Sequence, residues 1–282
     1  MNEQESARAE LSLPHRRMRL LQNDVYVYRT LSSTNRVATF MAASGAPAGT
    51  IVLSAFQSAG VGRLRRAWIA PPGRSLLLSV ILRPRIETRF ISQLALLGGV
   101  ALAEAIREET GLAAGVKWPN DVLMRGRKVS GILAQGSVRG DAIDSVILGV
   151  GLNVNQTEAE LPPDCRDTAT SLRAERGRRV SRAAMLRRFI LRWNAHLEAF
   201  SEGGHPYLRA KWIENNLTLG REVSVHGADG DLIGTAVDIS ERGGLVVRFP
   251  GGIDREFLAE DLSLGGEHYR RLARAGEPPG PG

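Results

Sequence analysis

Thiols are nearly absent from this chain. Cys165 is its only cysteine, which excludes an internal disulfide and any zinc site built from several thiolates. Aromatic residues make up only 5%, and no patch interleaves them with basic side chains as a nucleic-acid platform would. No apolar run approaches 18 residues; the longest, around Leu94 to Ala105, is broken by glycines and ends in charge. The opening "MNEQESARAELSLPHRR" has no apolar signal core. From these absences we expect a soluble, cytoplasmic protein without a membrane partner.

The 282 residues that are there suit one large domain, or a large and a small one, and can bury a substantial core. Hydrophobic content of 43% with 24% charged residues argues against wholesale disorder. A net charge of +7 fits nucleic acid, an anionic small substrate or a basic background alike. The arginines are scattered, and no lysine-rich arm gathers them.

Residues 1–18 are polar and read as loose. "DVYVYRTL" (24–31) alternates as a strand does, and Ser33 offers an N-cap to a helix from Thr34 to about Ala43, stopped by Gly45 and Pro47. "GTIVLSAFQ" and "SLLLSVIL" read as buried strands. The loop between them, "SAGVGRLRRAWIAPPG", is long enough to be functional or disordered. Ile91, Leu94, Ala95, Gly98, Leu102, Ala105 and Ile106 keep helical spacing up to Gly111. A hairpin turning at Arg125–Arg127 follows, then a strand in "AIDSVILGVGLNVN", then helices over 181–200 and 205–216. After Leu217 four short strands, separated by turns at 228–230, 241–244 and 250–252, argue for a small barrel-like module. The expected fold is α+β: a flexible stretch over 1–18, a mixed sheet with packed helices over 19–216, a small β-barrel over 217–267 and a flexible tail over 268–282.

"GVGRLRRAW" puts Gly60 and Gly62 where backbone amides can turn on phosphate oxygens, with Arg63, Arg65 and Arg66 beside them. No Gly-Lys-Ser/Thr follows, and the third glycine of a dinucleotide fingerprint is missing, so a solvated basic loop explains the stretch equally. Trp68 is either a stacking face for a planar ring or part of the core. In "KWPND" (117–121), Pro119 sets the direction in which Asn120 and Asp121 leave. Asp121 precedes Val122 and Leu123 and needs a partner if buried, a role open to Lys117. Lys128 directly precedes "VSGIL". A lysine near a turn is ordinarily inert, but Gly131, three residues on, weakens a strand unless something needs close backbone approach.

"SSTN" (32–35), "Q..GVGR....W" (57–68), "KWPNDVL", "GRKVSGIL" and "GVGLNVN" (149–155) resemble, in order and spacing, the motifs of biotin protein ligases, over about Asp24 to Leu264. The resemblance implies a class II synthetase-like catalytic domain followed by an SH3-like module. It implies ATP and biotin as substrates, with Mg2+ expected, and biotinyl-5′-AMP as intermediate. The implied partner is a biotin carboxyl carrier domain of acetyl-CoA carboxylase or a related biotin-dependent enzyme; a homodimer stays open. Ser33, Thr34, Asn35 and Gln57 are similar to the polar groups that hold the ureido ring of biotin. Gly60, Val61, Gly62 and Arg63 resemble the loop that closes over biotin and the adenylate. Lys128 resembles the lysine that meets the biotin carboxylate and the α-phosphate, and Gly131 the residue beside the valeryl chain. Arg63, Arg66, Trp68, Lys117 and Asn153 fall to the nucleotide. Lys128, Arg63 and Asp121 fall to catalysis, with Asp121 as base or metal group.

The loop departs from the pattern Gly-Arg-Gly-Arg-x-Gly-Arg: Val61 stands for the first arginine and Arg65 for the third glycine. Loop closure and retention of the adenylate are what this puts in doubt. Lipoate ligation on the same fold is the nearest rival, but its arginine–glycine-triplet pattern and His-Asp pair are missing. A DNA-binding repressor is the rival from another class, and about 23 residues before Asp24 are too few for a helix-turn-helix domain. No specific DNA binding is therefore expected.

Overall fold

The computed structural model describes residues 3–140, 142–227 and 230–258. The chain opens with helix α1 (Glu3–Leu11) and strand β1 (His15–Leu20), where a loose segment was expected. The side chains of β1 are largely exposed, so no hydrophobic alternation marks it. Its order comes from an antiparallel ladder with β2 (Asn23–Tyr28), running from the His15–Tyr28 pair to Leu20–Asn23. Helix α2 (Thr34–Ala43) follows and leads to β3 (Ile51–Ser54), which pairs with β2 in parallel.

β4 (Ser75–Leu82) is buried along its whole length. Leu76, Leu78, Val80 and Leu82 face one hydrophobic core, while Ile81 joins the other, against α2. The first core is closed by α3 (Ile91–Thr110), capped by Gly111 at φ 74°. By length and composition, Thr88–Thr110 is apolar enough to cross a membrane, but its most apolar 18-residue stretch is 72% buried inside the protein.

β5 (Gly115–Lys117), β6 (Asp121–Met124), β7 (Arg127–Arg139) and β8 (Ala142–Asn153) complete the large sheet, in the order β1-β2-β3-β4-β8-β7-β6-β5. Arg125 and Gly126 turn β6 into β7 with φ of 47° and 74°, the double left-handed geometry that matches strand twist in a two-residue hairpin. After the short helix α4 (Leu172–Arg176), α5 (Arg182–Asn215) packs on α3. The two helices expected here are both present within this run: the backbone leaves helical geometry at Gly204, where φ is 54°, and Pro206 opens the second helix. Ser181 caps it by accepting from the Ala184 amide at 3.2 Å.

β9 (Glu222–Gly227), β10 (Gly230–Ile239), β11 (Leu245–Phe249) and β12 (Ile253–Phe257) form a second antiparallel sheet in the order β12-β11-β10-β9, consistent with an SH3-like module. Its 240–244 turn docks on the larger sheet and helix α3: the Trp118 indole donates to the Gly243 carbonyl at 3.0 Å, and Gln93 donates to the Glu241 carbonyl. Residues 259–267 of the expected barrel and the expected tail lie outside the described residues.

Candidate active site

Strand register assembles the site. Across β4, β8, β7, β6 and β5, Leu77 pairs with Gly151, Gly151 with Gly131, Gly131 with Asp121, and Asp121 with Lys117. These residues form one row on the sheet face that carries α2, away from α3. Two bare glycines thus make a floor, with a carboxylate and a cation at one end. The Trp68 indole lies over this floor. A Cβ on Gly151 would come within 2.6 Å of it and one on Gly131 within 3.2 Å, so neither position has room for a side chain.

Lys128 joins the row through a β-bulge. Pairing slips between Val122–Ser130 and Leu123–Lys128, leaving Val129 as the extra residue. The lysine Nζ therefore sits 2.6 Å from Asp121 Oδ1, 3.3 Å from the Cβ position of Gly131 and 5.8 Å from the centre of a Trp68 ring. Burial pushes the Lys117 ammonium below its ordinary range; Asp121 opposes that shift and Lys128 adds to it. Lys117, Lys128 and Lys211 are the only lysines of the chain, and two of them stand here. Arg63 donates to Asn120 Oδ1 at 3.2 Å, and Asn120 is itself fixed by donating to the Ile132 carbonyl at 2.8 Å.

The other end of the cavity is polar and uncharged. Ser33 occupies the N-cap position of α2 as expected, but its hydroxyl makes no capping bond. Instead Gln57 Oε1 accepts from the Thr34 amide at 2.7 Å and its hydroxyl at 2.8 Å. Ser79 lies 2.8 Å from the Thr34 hydroxyl and 2.6 Å from Asn35 Oδ1; its single proton can serve only one of them. Asn35 donates to Gln135 Oε1 at 2.6 Å and rests on Gly149. Asn153, at the far wall, donates to the Thr170 carbonyl at 3.0 Å and accepts from Gln156 at 2.8 Å.

The cavity measures about 590 Å³. Ser33, Thr34, Asn35, Gln57, Val61, Gly62, Arg63, Arg66, Trp68, Lys117, Asp121, Lys128, Gly131 and Asn153 all border it. Gly60 is the one expected site residue that does not: it is buried behind the wall, where a Cβ would meet the Trp68 carbonyl at 2.7 Å. Its role is to let the chain pass.

Residues 26–153 match the model of the biotin/lipoate A/B protein ligase family. The chain is 34% identical to the bifunctional ligase/repressor BirA of Bacillus subtilis over 235 residues, covering 83% of this chain and 72% of that protein. It belongs to the biotin protein ligase family. It is 35% identical to the biotin–[acetyl-CoA-carboxylase] ligase of Mycobacterium tuberculosis over 232 residues, 78% of this chain and 81% of that one. The structure of the biotin protein ligase of Aquifex aeolicus in complex with biotin and ATP superposes with a TM-score of 0.73 at 31% identity, covering 86% of this chain and 98% of that one.

In this biotin protein ligase a valine, Val61, stands where the resemblance implies an arginine. Gly60–Trp68 is a narrow ribbon: Trp68 donates to the Gly60 carbonyl at 2.9 Å, Gly62 to the Arg66 carbonyl at 2.7 Å, and Val61 bridges Ala67. At its tip Leu64 and Arg65 carry φ of 52° and 56°, a left-handed geometry that costs a side-chain-bearing residue about 1–2 kcal/mol. Arg65 is exposed and does not border the cavity, whereas Val61 does.

Sequence reasoning missed the wall opposite this ribbon. Lys128 donates its amide to the Thr168 carbonyl at 2.7 Å and accepts from the Thr170 amide at 2.8 Å, so 168–170 runs beside it like a short strand. Pro162, Asp164, Cys165 and Asp167 bring that segment to the cavity. Nothing in its composition signals a site. Ser79 escaped as a small polar residue within an apolar strand, although such a residue in a buried strand needs hydrogen-bond partners.

Proposed function

We propose that this chain activates biotin with ATP to biotinyl-5′-AMP and transfers the biotinyl group to a lysine of a biotin carboxyl carrier domain. One observation carries the reading: the cavity has uncharged hydrogen-bonding groups at Ser33, Thr34, Asn35 and Gln57, bare backbone at Gly131 and Gly151, and cations at Lys128, Lys117 and Arg63. A ligand with a neutral donor–acceptor ring, an apolar chain and an anionic end suits that sequence of environments.

In the first step the biotin carboxylate oxygen attacks the α-phosphorus and pyrophosphate leaves. Lys128 and Arg63 offset the repulsion of the two anions and the charge that grows at phosphorus. The carrier amine then attacks the acyl carbonyl and AMP leaves, with Asp121 accepting the amine proton. Asp121 is one carboxylate beside the cationic end. It fits the usual mode of Mg2+ binding, in which one or two carboxylates act together with substrate phosphates; among the described residues no cluster of three acidic, His or Cys side chains offers more. Mg2+ bound there would neutralise phosphate charge. Trp68, Arg66 and Asn153 are read as the nucleotide's wall, and the 60–68 ribbon keeps water from the mixed anhydride.

The reading also takes the carrier to be that of acetyl-CoA carboxylase or a related biotin-dependent enzyme, and the location to be cytoplasmic. It includes no specific DNA site and no membrane. Pyrophosphate exchange with ATP, run with biotin and with lipoate, tests the core of it. Exchange that needs biotin is the expected result. Exchange that follows lipoate and ignores biotin would overturn the reading.

A further inference from the structure

Glu10 closes α1 with both carboxylate oxygens engaged. Oε1 accepts from the Ser32 amide at 2.7 Å, and Oε2 accepts from the Ser32 hydroxyl at 2.8 Å. Arg36 of α2 stands 3.7 Å from the same carboxylate, whose side chain is 15% exposed. α1 itself packs on α2: Ala7 is buried, and Leu11 lies against the core of Val37, Ala38 and Met41. Ser32 is also held from its other side, because its carbonyl accepts from the Ala59 amide at 2.9 Å. It therefore joins three things: α1, the start of the Gly60–Trp68 ribbon, and the cavity-lining pair Ser33 and Thr34 that follows it directly.

Ser32 does not border the cavity, so its bonds to Glu10 matter through what they hold still. The peptide plane between Ser32 and Ser33 sets the N-cap of α2. That geometry aims the Thr34 amide and hydroxyl at Gln57. We propose that Glu10 is a positioning residue for the ring end of the cavity: a carboxylate donated by the N-terminal helix fixes Ser32, and with it the polar groups that meet the neutral head of the substrate. This rests on the function proposed above.

The test uses full-length Glu10→Ala, Glu10→Gln and Ser32→Ala proteins in biotin-dependent ATP–pyrophosphate exchange. KM for biotin, KM for ATP, kcat and the thermal midpoint are read for each. Removing a charge-assisted pair of hydrogen bonds is expected to raise KM for biotin about tenfold in Glu10→Ala while KM for ATP stays put. Glu10→Gln keeps one acceptor for the Ser32 amide and should fall between wild type and Glu10→Ala; it also serves if Glu10→Ala does not fold. The Glu10→Ala/Ser32→Ala pair should be no worse than Glu10→Ala alone. Unchanged KM for biotin in a folded Glu10→Ala, or equal rises in both KM values with a lower thermal midpoint, would overturn the role, since a merely structural loss does not single out one substrate. A wild-type chain without biotin-dependent exchange overturns the functional reading and this role together; an active wild type with an unaltered Glu10→Ala overturns this role alone.

Discussion

Lys128 and Gly131 are three residues apart on one strand, a spacing that in a regular pleat sends side chains to opposite faces. The bulge at Val129 brings both to the cavity. A bulge leaves no mark in one sequence. A motif could therefore name these two residues together, whereas regular strand geometry would have set them apart. With the Lys128 ammonium 2.6 Å from Asp121, Lys128→Ala should lower kcat for adenylation about tenfold or more, the value of a charge-assisted contact. The thermal midpoint should move little, because the side chain is partly exposed and Lys117 still faces Asp121. Lys128→Arg should not restore the rate: a flat guanidinium needs room that Trp68 and Gly131 already define. Full rescue by arginine would mean that charge alone matters there. Gly151→Ala belongs to the same scale; its methyl would meet the indole, so affinity for ATP should fall when measured by titration.

Elements with a strong apolar signature were legible, α3 up to Gly111 and the fully buried β4, and the hairpin turn expected at 125–127 falls at Arg125 and Gly126. α1 and β1 were not, because the strand is held by backbone ladder bonds and the helix by Glu10 rather than by a wide apolar face. The Gly60–Trp68 ribbon permits a direct comparison. Val61 is 48% exposed at the cavity edge and carries neither charge nor donor. Val61→Arg should slow dissociation of preformed biotinyl-5′-AMP, by about tenfold if one charged hydrogen bond is gained. Arg65→Gly should leave that rate unchanged or slow it, since the residue does not border the cavity and glycine relieves its left-handed backbone. Faster release from Arg65→Gly would show that Arg65 does contact the adenylate.

Packing of α3 on α5 has its own pH dependence. Burial pushes the Glu104 carboxyl up, but the hydrogen bond from His196 and the electrostatic pull of His196, Arg192 and Arg107 outweigh it and hold the carboxyl below its ordinary range. A lowered carboxyl stabilises the fold above its unfolded value and loses that contribution as pH falls through the folded one. Thermal midpoints of wild type and Glu104→Gln should therefore differ at neutral pH and converge in acid, as pH falls through the lowered carboxyl pKa. A constant gap would assign the loss to packing alone.

At the scale of the whole molecule, the second antiparallel sheet was legible in the short strands after Leu217, but not the way it joins the first. That depends on Trp118, within "KWPND", whose indole is tied to the Gly243 carbonyl of the second module. Trp118→Phe leaves a buried carbonyl without its donor and should lower stability by about 1–3 kcal/mol, read from the denaturant midpoint. The net charge of +7 should give only weak DNA association that falls steeply with added salt; a salt-resistant footprint on one sequence would contradict this. The scarcity of lysine has a further consequence. A mixed anhydride acylates whatever free amine it meets. Lys117 and Lys128 stand inside the cavity that makes it, and Lys211 is bonded to Glu214 at 2.8 Å, which raises its pKa and keeps it protonated. An enzyme that turns over without its carrier thus offers released product one lysine outside the cavity, so the self-acylation that mass spectrometry finds should lie on Lys117 or Lys128 rather than on the surface.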